Sequence, residues 1–428
     1  MFAAGKVVDP SGTYCLNSEA RMIYPPAEPR NCPVCGTVIT VRFVRLKNVP
    51  VNCSALWESA EKARAASRGD IELAFCGKCG MIFNGAFDAD RVEYGLTYDN
   101  TLAYSPTFRA YAADLAERLI KEHDLRDKSI VEIGCGDGDF LNRLCSSQSG
   151  NRGMGFDPSA EERHLSNRLT IRSHLFRGTE VKDVDFVCCR HVLEHLESPR
   201  ELLNTVYRCL SQRGGSTYFE VPDARAVLNG PSTWDVIFPH CSYFTPLSLQ
   251  YLFVECGFEV LSVESLYGGQ FLGLNAKIGR GVSYSLNVKA MTTLARSVQR
   301  FEAKLRNDIE GWSRLIEYAS VANRRVALWG AGAKGTTFLN SIPGANRIGA
   351  VVDLNPRKQG HFIPGTGQRI VPPEELTEYR PDIIILLNPL YEEEIQSRVA
   401  KLGLDPTLML DPLLPIPTKD AIRLSASM

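Results

Sequence analysis

The stretch "SIVEIGCGDGDFLNRL", Ser129–Leu144, runs from an apolar strand through a glycine-rich turn into a helix. Its fixed points are Glu132, Gly134, Gly136 and Gly138, spaced E-x-G-x-G-x-G. That spacing departs from the G-x-G-x-x-G of dinucleotide loops, whose last glycine lets the helix pack closely on the strand. A ligand other than a pyrophosphate is therefore expected over this turn. About twenty residues on, "GMGFDPS" ends a second strand with Asp157, where a carboxylate can accept hydrogen bonds from both hydroxyls of a ribose.

Working outward, "TFRAYAADLAERLIKEH" places Phe108, Tyr111, Leu115, Leu119 and Ile120 at helical spacing just before the strand. Strand and helix signals alternate from there to about residue 280, the pattern of an α/β domain with a largely parallel sheet. Residues 288–324 then carry about ten turns of helical pattern, read as one or two connecting helices. A second series opens at "RRVALWGAGAKG", with Gly330, Gly332 and Gly335 in a true G-x-G-x-x-G and Asp353 downstream in "AVVDLN". On spacing alone this is the better dinucleotide fingerprint, and the helix start beside Lys334 suits a phosphate. It sustains a rival function, an NAD-linked oxidoreductase or nucleotide-binding sensor.

Ahead of both series, the first hundred residues are rich in Cys, Pro and polar turns, the composition of a small module that needs a staple. "NCPVCG" supplies Cys32 and Cys35, and "FCGKCG" supplies Cys76 and Cys79. Two C-x-x-C turns, each followed by a glycine, converge four thiolates on one tetrahedral zinc, and four thiolates leave no open position for catalysis. The gap between the pairs is longer than in compact zinc modules, which implies an insertion. Cys53 is an alternative ligand without a knuckle partner.

With 48 basic against 49 acidic residues, the chain lacks the cationic excess of a delocalised nucleic-acid or anionic-membrane binder. The sequence has no apolar run of membrane-spanning length and no signal-peptide pattern, so a cytoplasmic location is the expectation. Thirteen scattered cysteines argue for reduced thiols.

Two later segments sharpen the reading: "DFVCCRHVLEHLESPRELL", residues 185–203, and "WDVIFPHCSYFT", residues 234–245. Together with the first glycine loop and Asp157, the former resembles the class I S-adenosylmethionine-dependent methyltransferases. That resemblance implies that Glu132, Gly134, Gly136, Asp157 and His191 surround the cofactor, with His195 facing the site. The whole order, from "CPVCG" and "CGKCG" through "HCSYF" to "GAGAKG", resembles the sugar C-methyltransferases acting on nucleotide-linked keto-deoxysugars. It implies a zinc and substrate-contacting module over 1–100, a methyltransferase domain over 101–285, and a helical connection with a Rossmann-like domain over 286–428.

In that family a histidine in a Y-x-E-H-x-S-Y-F segment is the favoured general base, which makes His240 the base or a substrate contact here. Removing a proton beside a carbonyl turns carbon into an enolate that can attack a sulfonium methyl group. Pro239 and Ile237 stand where the family has glutamate and tyrosine, so His240 needs another partner, such as His195 or Tyr104, or a different substrate. O-methylation of another small metabolite is the alternative. Tyr98, Tyr243 and Lys334 are expected at the substrate, with packing as the alternative for Tyr98 and Tyr104. A metal role for His240 with Cys241 is not expected, because adjacent side chains diverge in an extended segment.

Overall fold

The computed structural model describes residues 28–39, 41–92, 99, 101–146, 149–230, 233–279 and 284–412 of the 428-residue chain. The first elements are short, because the Cys-rich segment has little apolar periodicity. A hairpin of β1 (Arg30–Asn31) and β2 (Val38–Ile39) encloses the first C-x-x-C turn. An antiparallel sheet follows: β3 (Arg42–Pro50), β4 (Arg68–Phe75) and β5 (Ile82–Asn84), with the second C-x-x-C turn joining β4 to β5. The insertion between the two turns is thus β3 and β4 with α1 (Ala60–Arg64), started by the side chain of Ser59 accepting from Lys62 N.

The central domain begins with α2 (Pro106–Glu122), whose Ser105 cap accepts from Phe108 N and whose first helical residue is a proline. Then come β6 (Ser129–Ile133), α3 (Asp139–Leu144), β7 (Arg152–Phe156), β8 (Arg163–Ser166), β9 (Leu169–Arg172) and β10 (Phe186–Arg190). They are followed by α4 (Pro199–Ser211), β11 (Ser216–Pro222), α5 (Ala224–Asn229), β12 (Ser242–Tyr243), α6 (Pro246–Glu255), β13 (Phe258–Leu266) and β14 (Phe271–Ile278). Eight of these strands form one sheet in the order β13-β14-β11-β10-β6-β7-β9-β8, parallel from β11 to β9. Ile130, Val131, Phe186, Val187, Cys188 and Phe219 are all buried, as strands covered on both faces require. Order reverses at β6, with β7 on one side and β10 on the other, which opens a crevice at the carboxyl ends of these strands.

β12 does not join this sheet. It returns to the first one, pairing antiparallel with β5 through Ser242 opposite Phe83 and Tyr243 opposite Ile82. The polypeptide just after His240 is therefore part of the N-terminal sheet. Phe238 enters that sheet's face where Gly69 of β4 leaves room: a Cβ on Gly69 would lie 2.3 Å from the ring.

The helical stretch is one helix, α7 (Val288–Val321), 34 residues and roughly 51 Å at about 1.5 Å per residue. Its first half buries Met291, Leu294, Val298 and Phe301 against β3, β4 and α5 side chains. Its second half buries Trp312, Leu315 and Ile316 in the core of the rear domain. That domain comprises β15 (Val326–Trp329), α8 (Ala333–Ser341), β16 (Ala350–Val352), β17 (Ile370–Val371), α9 (Leu376–Tyr379), β18 (Ile383–Leu386), α10 (Glu392–Lys401) and β19 (Thr407–Met409). Its sheet is parallel throughout, in the order β17-β16-β15-β18-β19.

The rear domain docks on both others. Ser105 and Thr107 donate their hydroxyls to Glu394, Tyr267 meets Tyr391 at 2.9 Å, and Gln270 donates to Asn388 at 2.8 Å. Arg68 of β4 reaches the Gly365 carbonyl at 2.9 Å.

The Gly69–Phe238 contact gives a direct test. Gly69→Ala pushes the ring out of its seat and should destabilise the chain by about 1–3 kcal/mol, as overpacking typically does. Adding Phe238→Leu should recover at least half of that loss in a double-mutant cycle read by urea denaturation.

Candidate active site

The two C-x-x-C turns are built alike. Cys32 N donates to Thr37 O and Gly36 N to Cys32 O, while Cys76 N donates to Met81 O and Gly80 N to Cys76 O, all between 2.8 and 2.9 Å. Gly36 and Gly80 close the turns at φ 73° and 78°, the left-handed region that a side chain would strain. The four sulfurs lie within 4.8 Å of one another, with Cys32–Cys79 at 3.6 Å and Cys35–Cys76 at 3.4 Å. A tetrahedron of thiolates about 2.3 Å from a zinc ion has edges of about 3.8 Å, so the donor set fits that metal. Cys53 stands apart, its carbonyl accepting from Thr336 of the rear domain.

At the first glycine loop, Gly134 and Gly136 have φ of 73° and 49°. A Cβ on Gly134 would strike Val192 at 2.0 Å, whereas one on Gly136 would meet nothing within 4 Å. Gly134 lets the loop pack on the segment after β10, and Gly136 presents bare backbone to open space. Asp157 ends β7 and binds the loop, one carboxylate oxygen accepting from Gly136 N at 2.9 Å and the other from Ser159 N at 2.8 Å. Ser159 Oγ also donates to Asp157 at 2.6 Å, so of the carboxylate's about four lone-pair positions one, on the oxygen facing Gly136, is left for a ribose hydroxyl. Glu132 lies buried behind the loop; its Oε2 has no partner, and burial pushes its pKa up to about 8. An orphaned carboxyl, an open glycine face and a second-strand acid fit the adenosyl ligand expected here.

His191 follows β10 in a left-handed conformation, φ 55°. It forms an ion pair with Glu220 of β11 at 3.0 Å and lies 3.7 Å from Glu194, its ring edge-on to Phe271. Burial works against its charge, but the two carboxylates outweigh burial and raise its pKa to about 9. Glu220 also pairs with Arg190 at 3.0 Å and accepts from Tyr218 at 2.9 Å and from Tyr111. These contacts hold Glu220 far below the usual carboxylate range despite its burial. His191, its side chain a quarter exposed, is thus an imidazolium held between carboxylates rather than a group standing alone at the cofactor.

His240 and His195 face each other, ring centroids 4.8 Å apart. His195 Nδ1 is 2.9 Å from the Pro239 carbonyl, which can only accept, so Nδ1 carries the proton and Nε2 is the basic nitrogen. A ring nitrogen from each histidine and a carboxylate oxygen of Glu194 lie within 4.8 Å of one another. Position 239 carries no carboxylate, and Glu194, from the segment after β10, is the one that lies beside the two histidines. Burial, helped by the neighbouring His195, lowers the His240 pKa to about 3, so this imidazole is neutral at any working pH.

The segment holding His240 is anchored at three points. Trp234 packs edge-on against Phe338 of α8, with ring centroids 5.1 Å apart, and Asp235 pairs with Lys334 at 3.0 Å. Asn84 N of β5 donates to Cys241 O at 2.9 Å. Cys241 Sγ and Ser242 Oγ point to the carbonyls of Glu194 and Leu196 at 3.5 and 3.4 Å.

Other expected residues are used differently. Tyr243 is buried, and its hydroxyl donates to the Ile237 carbonyl at 3.1 Å, bracing its own loop. Lys334, besides Asp235, donates to Gln270 at 3.0 Å. Tyr104 is 36% exposed on the turn before α2, and no hydrogen bond or ring contact among the described residues ties it to either histidine. Tyr98 lies outside the described residues. At the second glycine loop, Asp353 accepts from Ala331 N at 2.9 Å and lies 3.8 Å from the buried Lys358. Arg357, in the turn after β16, joins Asp99 at 3.0 Å and reaches Asp137 of the first glycine loop at 3.8 Å, so the rear domain meets the first glycine loop there. Sequence reading passed over Glu194, Glu220 and Asp235; only Glu194, inside the quoted "VLEHLE" beside His195, left a usable signal.

Residues 106–263 match the family described as a methyltransferase domain, and residues 286–405 match the C-methyltransferase C-terminal domain. A tRNA U34 carboxymethyltransferase of Sulfurimonas denitrificans is 25% identical over 150 residues, 32% of this chain, and the chain spans half the length of that relative. Among solved structures, the magnesium protoporphyrin IX methyltransferase of Synechocystis PCC 6803 with bound SAH is 15% identical, with a TM-score of 0.33 over 42% of this chain and 90% of the other. A riboflavin-derivative dimethyltransferase of Streptomyces davawensis is 16% identical, with a TM-score of 0.34 over 41% of this chain and 55% of its own. With the two matched domains in this order, the chain belongs to the class I S-adenosylmethionine-dependent methyltransferases that carry a C-methyltransferase C-terminal domain.

Proposed function

We propose that the protein methylates a carbon next to the carbonyl of a small, nucleotide-linked keto sugar. The observation that carries the reading is the meeting of His240, His195 and Glu194 at the carboxyl end of β10, the strand beside the glycine loop. When bound, S-adenosylmethionine supplies an electrophilic methyl group. Gly136 would give its backbone to that cofactor, Asp157 would take a ribose hydroxyl, and Glu132 would face its polar end. His240 would accept the proton from the sugar carbon, because carbon attacks only once an enolate forms. Arg357, half-exposed beside Asp99 and Asp137 of the first glycine loop, offers a cationic group to a diphosphate.

We further propose that Cys32, Cys35, Cys76 and Cys79 hold a structural zinc. Metal analysis should give one zinc per chain. Stripping it should lower stability and methyl transfer together, because the second C-x-x-C turn leads directly into β5, which carries β12.

Titration calorimetry with S-adenosylhomocysteine tests the cofactor site. Binding is expected, and Asp157→Ala should weaken it roughly 100-fold, the equivalent of about 3 kcal/mol for a lost charge-assisted hydrogen bond. Incubation with a thymidine-diphosphate-linked keto-deoxyhexose in deuterated water tests the chemistry. Deuterium should enter the sugar carbon and the product should carry a C-methyl group; O-methyl product without exchange would refute the carbon mechanism.

Stability should also depend on pH in a defined way. His191 has a raised folded pKa, so its contribution is complete below the unfolded value near 6.5 and is lost as pH rises towards about 9, by roughly 3 kcal/mol. His240 has a depressed one, so its contribution is complete above about 6.5 and is lost as pH falls towards about 3. Urea midpoints should therefore peak near neutral pH, and His191→Gln should flatten the alkaline side.

A further inference from the structure

Resting on the methyl-transfer reading, we propose that Glu194 is the positioning carboxylate of the base, holding the charge that His240 acquires when it takes the substrate proton. His195 gives its Nδ1 proton to the Pro239 carbonyl, so its other nitrogen is an acceptor, and the neutral ring of His240 carries one acceptor nitrogen in either tautomer. Glu194 is 2% exposed, and its Oε2 has no hydrogen-bond partner. A ring nitrogen of His240 lies within 4.8 Å of a Glu194 carboxylate oxygen, and this buried carboxylate, with one oxygen unpartnered, can match a positive charge brought beside it by a proton or a cation.

Charge decides which. Arg190, His191, Glu194 and Glu220 form a linked set in which two positive charges meet two negative ones, both carboxylates buried. A divalent cation at Glu194, His195 and His240 would add two positive charges beside His191, 3.7 Å from Glu194. That repulsion in a poorly solvated site is severe. A single proton, present only while the substrate is an enolate, adds one charge and is matched by the negative charge on the substrate.

The step balances as follows. The C–H bond beside the carbonyl breaks, its pair forms the enolate, and the proton becomes an N–H bond on His240. Carbon then forms a bond to the methyl group while the sulfonium sulfur keeps the C–S pair and becomes a neutral thioether. The proton leaves His240 for solvent, and the cluster returns to its starting charge. Glu194 makes no bond to substrate; it acts through the two histidines, and His191 on its other side fixes its direction.

The test compares Glu194→Gln and Glu194→Asp with the unaltered chain, on the thymidine-diphosphate keto-deoxyhexose. Titration with S-adenosylhomocysteine counts folded sites, so that turnover is expressed per folded molecule. For Glu194→Gln, kcat should fall roughly 100-fold, within the range of general-base effects, while KM and S-adenosylhomocysteine affinity stay within about threefold. Deuterium exchange should fall in parallel with kcat, and the isotope effect with substrate deuterated at the reacting carbon should grow as proton removal becomes slower. Glu194→Asp, which keeps the charge, should recover part of kcat. Exchange in the unaltered chain that persists undiminished in Glu194→Gln would overturn this inference alone. So would stimulation by added Mg2+ or Mn2+ that disappears in Glu194→Gln, because it would assign the cluster to a cation. Absence of both exchange and C-methyl product in the unaltered chain would overturn the methyl-transfer reading and this inference with it.

Discussion

Two residues of backbone pairing, Ser242 with Phe83 and Tyr243 with Ile82, hold the His240 segment to the N-terminal sheet. Hydrogen bonds of this kind contribute only about 1 kcal/mol each, too little to fix a loop by themselves. The larger contribution comes from what the pairing buries: Phe238, Tyr243 and Phe244 are all withdrawn from water, at roughly 1.5–3 kcal/mol per large side chain. β5 in turn begins just after the second C-x-x-C turn, and Thr245, which caps α6, donates to the carbonyl of Gly80 in that turn. The cysteine cluster therefore acts on the chemistry at a distance. It sets the strand that sets the loop that carries the histidine.

The opposing wall is set by charge. Arg190 and Glu220 sit at the ends of adjacent strands β10 and β11, in register with each other. Burying both is tolerable because Tyr111, Tyr218 and His191 complete the partners of Glu220. The left-handed backbone at His191 costs energy that a non-glycine residue rarely bears. The ion pairs at both ring nitrogens compensate, and the turn they enforce aims the next residues, Glu194 and His195, across the crevice at His240. A strained residue placed immediately before the site is thus part of how the site is aimed.

Much of this was legible in sequence, and the reason differs by feature. The C-x-x-C-G turns and the first glycine loop are local: a left-handed glycine at a fixed offset needs no tertiary information, and Gly36, Gly80, Gly134 and Gly136 adopt that conformation. The alternation of strands and helices also follows from local pattern, although continuous helical periodicity could not say whether residues 288–324 held one helix or two. What escaped was non-local. Nothing about "PHCSYF" announces that Ser242 and Tyr243 pair with a strand 160 residues earlier, or that the hydroxyl of Tyr243 turns inward to Ile237. Lys334 was read from its neighbours in the chain as a phosphate ligand, yet Asp235, a hundred residues away, lies 3.0 Å from it.

The same distinction explains the departure at position 239. A glutamate next to the histidine in sequence would travel with it, so the acid and the base would move as one unit wherever the loop went. Here the carboxylate belongs to the end of β10 and the histidine to a loop pinned by β5 and by Trp234 against α8. The histidine and the carboxylate then meet only when the N-terminal sheet, the central sheet and the rear domain are docked together. Pro239 contributes its carbonyl to that meeting by fixing the tautomer of His195, a role that any residue could fill, and its ring restricts the backbone just before His240. The acid has thus moved from the loop to the sheet it closes on, and the pairing that made it legible as a neighbour in sequence has become a contact made only by the fold.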